Sequence, residues 1–195
     1  MRKTIFFTFI FSLLLISAEA QSHQDFYAQS LNINKSGMYL LGGWALANMA
    51  TGTFGWIRYD GVQKYFHQMN AAWNLVNAGI ATYALLDMAG TDFSLLSDSE
   101  MMRKHIRSEN IYLINAGLDI LYMAGGAWMI HAAGNNEKRH DLLKGYGQAV
   151  ILQGAFLFLF DLTKFAIQYN HRMNFTETTA TLGLTGNGLT LSIGF

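Results

Sequence analysis

The sequence predicts an all-α membrane protein: a four-transmembrane-helix bundle with a short C-terminal β-hairpin. Three observations predict it. Hydrophobic residues make up 51% of the 195-residue chain and charged residues only 13%. An average soluble domain carries roughly 25% charged residues, so the deficit matches what lipid-facing surface requires. Four apolar stretches approach the ~20 residues that cross ~30 Å of hydrocarbon at 1.5 Å each. The tail then changes from a helical period to a period of two.

The elements follow in chain order. Arg2 and Lys3, the apolar run Ile5 to Ile16 and the Ala18-Glu19-Ala20 cleavage pattern predict a signal peptide over residues 1–20. The apolar run is too short for a comfortable span. The mature chain then starts outside the cytoplasm. Residues 21–175 form the expected four-helix transmembrane domain, with spans at Met38–Ile57, Phe66–Met88, Asn110–Ala133 and Tyr146–Tyr169. Ser97 and Glu100 read as a capping box, opening a short helix through Met101–Arg107 that leads towards span three. Residues 176–195 form the tail, where Thr181–Thr185 and Leu189–Phe195 alternate around a Gly186-Asn187-Gly188 turn. One hairpin cannot close a barrel. The expected location is therefore a bacterial inner membrane with both mature termini periplasmic, and the hairpin packed on the helix ends, the bilayer or a partner.

Composition excludes several classes. Net charge is zero, with no basic patch to neutralise phosphates, so nucleic acid is not an expected partner. Without cysteine there are no disulfides, thiolate metal sites, catalytic thiol or lipoprotein anchor. Without proline no helix is kinked by it.

Polar residues inside the spans fall into stripes. At 100° per residue, His67, Asn70, Asn74 and Asn77 share an arc of span two, and Asn115, Asp119, Tyr122 and Gly126 one of span three. Tyr146, Gln153, Leu157, Asp161, Lys164 and Gln168 share one of span four. Gly43, Ala47, Thr51 and Gly55 offer a small-residue face for close helix contact in span one. Amides and carboxylates facing lipid lack hydrogen-bond partners, so each stripe is expected to turn inward. Asn70, Asn74, Asn77, Asn115 and Gln153 are read as bonds between helices or as ligand-orienting groups. Asp119, Asp161 and Lys164 are the ionisable candidates for the polar end of a site, with Asp161 and Lys164 paired along their helix. The alternative for these three is a structural ion pair. His67 and His131 lack a third ligand, so no metal site is predicted. No acid–nucleophile–metal constellation converges, and no cofactor is expected.

Two stretches carry a resemblance. Phe66-His67-Gln68-Met69-Asn70 is followed by Trp73-Asn74-Leu75-Val76-Asn77, and Gly145-Tyr146-Gly147-Gln148 by Gln153-Gly154 and Phe160-Asp161. Together they resemble an uncharacterised family of small four-span membrane proteins of Bacteroidota. The resemblance implies a signal peptide, four spans and a β-like tail ending in Phe, and no activity. The expected function is thus a non-enzymatic binding or scaffold protein holding a lipid, a quinone-like ligand or a partner membrane protein. The alternative is a small oligomeric proton- or ion-coupled transporter. Expected partners are the lipid bilayer and either a partner membrane protein or further copies of the chain.

Overall fold

The computed structural model describes residues 22–178, 181–185 and 188–192, with side chains for residues 22–175. The expected signal peptide lies outside the described residues. Four long helices account for the fold: α1 (His23–Arg58), α2 (Gly61–Gly90), α3 (Asp98–Ala133) and α4 (His140–Thr178). They run alternately up and down. One end of the bundle, here the head, carries the start of α1 and α3 and the end of α2 and α4. The opposite end is the foot.

Local chemistry sets the boundaries. Ser22 caps α1 by accepting from the Asp25 amide at 3.1 Å, and Asp25 favours the positive helix start. The turn into α2 needs a left-handed residue, supplied by Gly61 at φ 60°. The Ser97–Glu100 capping box opens α3, with the Ser97 amide donating to Glu100 Oε2 at 3.0 Å. The helix expected through Met101–Arg107 is the first part of α3, which continues without a break.

Packing is uneven. α3 with α4 and α1 with α2 are the most extensive pairs, followed by α2 with α4. α2 and α3, although consecutive, hardly touch. Glycines allow the closest approaches. A Cβ on Gly126 of α3 would lie 2.7 Å from the Gly147 carbonyl oxygen of α4, so the helices meet backbone to backbone there. Gly52 of α1 likewise leaves space for Ala71 of α2. The small-residue face of α1 is not the expected one. Gly55 packs on His67, but Gly43 meets nothing within 4 Å, and Leu41, Ala45, Gly52 and Gly55 are the buried positions.

The distribution of polarity is inverted. Large apolar side chains such as Leu46, Phe54, Leu75, Tyr83 and Trp128 are exposed, whereas Asn70, Asn74, Asn77, Asp119, Gln153, Asp161, Lys164 and Gln168 are buried.

The expected fold class is corrected on two points. First, among the described residues only α3 and α4 hold a stretch long and apolar enough to cross a membrane. α1 and α2 dilute their apolar residues with Gly, Thr and Asn. Second, the described fold is all-α, and a β-hairpin is no part of it. The short segments Thr181–Thr185 and Gly188–Ser192 run antiparallel, Thr181 opposite Ser192. They pair with each other and find no comparable packing on a helix. A lone two-strand ribbon without a second layer buries too little to become an element of the fold. Gly186, Asn187 and Phe195 lie outside the described residues. Helix α1 also starts well before the expected Met38, adding a head extension that the span boundaries omit.

Candidate functional site

Buried polar side chains gather in three places among the described residues, the last of them around Gln153 and Asn70. The first is at the head. Ser30 Oγ lies 2.8 Å from His105 Nδ1, and His105 Nε2 lies 2.9 Å from Glu109 Oε1. Arg172 Nε donates to both Glu109 oxygens, at 2.9 and 3.1 Å. Gln168 Nε2 donates to the Ser30 carbonyl at 3.2 Å and to Asn34 Oδ1 at 2.8 Å, and the Tyr112 hydroxyl donates to the same Asn34 oxygen at 3.0 Å. The order Ser–His–Glu resembles a hydrolytic relay. Yet Ser30, His105 and Glu109 are only 1%, 0% and 2% exposed, and Phe26 stacks on His171 and Phe175 above them. No substrate carbonyl can reach Ser30 Oγ, and the cluster ties α1, α3 and α4 together. The sequence reading picked out only Gln168 of this cluster. The signal for the rest was His105 and Glu109 four residues apart on one helix face, with partners far away in sequence.

The second cluster borders a cavity of about 720 Å³ between α2 and α3. The volume is within the usual range of ligand pockets. Trp73 meets Tyr122 edge to face across 5.1 Å and closes the floor. Above it the walls are apolar and aromatic, with Met38, Leu41, Val76, Ile80, Tyr83 and Phe160 among them. Asn77, Asn115, Asp119 and Asp161 supply polar groups, and Lys104, Arg107, Asp87 and Thr91 surround the head-side mouth. The Asp119 and Asp161 carboxyls are neighbours on the cavity wall, with Asn115 beside Asp161. Asp119 is 2% exposed, and its Oδ2 has no hydrogen-bond partner among the described residues.

The sequence-selected residues therefore separate into three groups. Asn77, Asn115, Asp119 and Asp161 line the cavity. Asn70, Asn74 and Gln153 lie away from it and join α1, α2 and α4. Gln153 Nε2 donates to Asn70 Oδ1 at 2.8 Å, and Trp44 Nε1 donates to Gln153 Oε1 at 2.9 Å. Asn74 donates to the Asn70 carbonyl at 2.9 Å. Lys164 stands alone. The expected ion pair with Asp161 is not among the ion pairs of the described residues. Gly37 of α1 leaves room for the lysine stem, so the ammonium instead donates to the Ile33 carbonyl and sits 5.5 Å from the Tyr112 ring centre. His67 stacks on Tyr59 at 5.4 Å.

Residues 40–162 match the family model described as Family of unknown function (DUF6992). The chain belongs to this family. The match takes in both motif stretches and all of the cavity's polar residues on α2 and on the deep part of α3, as well as Asp161. It excludes the start of α1 and the end of α4, and with them Ser30, Gln168 and Arg172 of the head cluster. No curated protein and no solved structure matches the chain.

Proposed function

We propose that the protein is a membrane-embedded, non-enzymatic binding protein that admits a long apolar molecule bearing a polar group into the cleft between α2 and α3. The observation that carries this reading is Asp119, a buried carboxyl on the cavity wall with one oxygen unpartnered. An unpaired buried acceptor costs on the order of 1–3 kcal/mol, and a ligand donor removes that cost. The inverted polarity of the surface supports the membrane setting, since exposed Leu, Phe and Trp on all four helices suit lipid and not water. With the family resemblance, this extends to a bacterial inner-membrane protein of Bacteroidota, its head and cleft mouth on the periplasmic side.

Native mass spectrometry of the protein released gently from its own membranes tests the reading. A reproducible added mass, lost when Asp119→Asn and Asp161→Asn are combined in a folded protein, supports it. A bare protein that co-purifies with another membrane protein points to a scaffold instead.

A second reading rests on the carboxyl pair. Two neighbouring carboxyls inside a membrane suit an oligomeric proton-coupled transporter. Proton flux in vesicles tests this, and a monomeric, flux-silent protein removes it.

A further inference from the structure

The two ends of the cleft differ chemically, and together they define its ligand; this inference rests on the binding reading above. Lys104 and Arg107 lie one turn apart on α3, exposed at the mouth. Neither takes part in an ion pair among the described residues. Asp87 is the carboxylate that shares the cleft lining with them, and Glu100 acts on Lys104 from one turn away, so on the lining itself two cations face one carboxylate. At the deep end the neighbouring Asp119 and Asp161 carboxyls disfavour a second anion, and buried Asp119 Oδ2 has no hydrogen-bond partner among the described residues.

The spacing is helical. Arg107 and Asp119 are twelve residues apart on α3, or about 18 Å along its axis. From Lys104 at the mouth to Tyr122 at the floor is eighteen residues, about 27 Å, and the cavity's 720 Å³ spread over that length gives a cross-section of roughly 27 Å². That is a slender channel, walled between its ends by Met38, Leu41, Val76, Ile80 and Leu118.

We infer that the cleft binds a long-chain amphiphile with an anionic head at Lys104 and Arg107 and a hydroxyl part-way along its chain at Asp119. A plain hydrocarbon chain leaves Oδ2 unpaired. An ether or carbonyl at that depth places acceptor against acceptor. A hydroxyl donates to Oδ2, while the flexible chain fits the apolar walls.

The test is equilibrium binding to the full protein in mild detergent micelles with three probes: stearate, its mid-chain hydroxylated derivative and the corresponding methoxy derivative. The hydroxylated probe should bind about ten-fold tighter than stearate, and the methoxy probe weakest, because it keeps the oxygen and loses the donor. These comparisons use the unaltered chain, so folding of a variant does not enter. Lys104→Gln combined with Arg107→Gln, at exposed positions, should weaken all three probes about ten-fold and remove their salt dependence. Equal binding of the hydroxy and methoxy probes overturns the deep-end assignment. Unchanged binding by the double variant overturns the mouth. If no probe binds but the protein carries an added mass from its own membranes, the ligand class is wrong and the binding reading stands. If no probe binds and no mass is carried, the binding reading itself has failed.

Discussion

The head cluster and the cleft are both buried and polar, yet they differ in whether their bonds are complete. At the head, Ser30, His105, Glu109, Arg172, Gln168 and Asn34 bond one another across three helices. In the cleft, Asp119 keeps an oxygen free beside an open volume. A completed network resists opening, because every member loses a partner if one leaves. An incomplete one has binding capacity to spare. Burial of polar groups alone therefore does not distinguish a fastening from a site. The partner count does.

The largest effect that would break this contrast is at Glu109. Glu109→Leu strips Arg172 and His105 of their carboxylate and should cost about 3 kcal/mol, or roughly 6–12 °C in melting midpoint. Circular dichroism of the detergent-solubilised protein measures it, and a shift below about 2 °C would mean the head is not a fastening. Next comes the α3–α4 crossing. Gly126→Val forces a side chain against the Gly147 backbone and should cost about 1–3 kcal/mol. Gly125→Val, at a position that meets nothing within 4 Å, is the control and should be nearly neutral in the same melt.

The cleft should behave in the opposite way. Asp119→Asn with Asp161→Asn should change stability by less than about 1 kcal/mol while abolishing ligand retention. A collapse of the melting midpoint without loss of ligand would reverse the roles assigned to the two clusters. The smallest effect concerns the connection over the cleft mouth. The Ser94 hydroxyl and amide bond Asp92 and hold its carboxyl below the ordinary 3.8. Asp92 thus favours the folded state above that value, and its contribution is lost as the pH falls through the lowered one. Asp92→Asn should flatten a slight acid-side slope in a melting series.

Much of this was legible in the sequence. The polar stripes of α2, α3 and α4 face inward except at the exposed Tyr122, because a 3.6-residue period is a property of single segments. The division of those stripes was not legible. Asn77 and Asn74 look alike in sequence and bond each other, yet of the two Asn77 alone borders the cavity. The face of α1 was misjudged because Gly42, Gly43, Ala45, Ala47, Gly52 and Gly55 surround the helix with small residues, leaving no periodic contrast to read. The head extension was not assigned to a span, since span one was started at Met38. Gln24, Asp25, Asn32, Asn34 and Lys35 dilute its apolar signal, and the partners that bury Ser30 are 75 and 138 residues away. The lysine partner depended on Gly37, an absence of side chain that carries no pattern.

The pairing of the helices has a consequence for how the chain is made. α1 and α2 are joined by Tyr59 and Asp60 alone, and α3 and α4 by the six residues 134–139, which include a 3-10 turn at Glu137–Arg139. Each pair can close as soon as its second helix has left the ribosome, since local contacts form before distant ones. Contact between α2 and α4 has to wait for the last helix. The protein is thus born as two hairpins that dock late, and the cleft is the seam that docking leaves unzipped. Two halves separated within the 91–97 connection and synthesised together in one cell should find each other and co-purify as a folded pair.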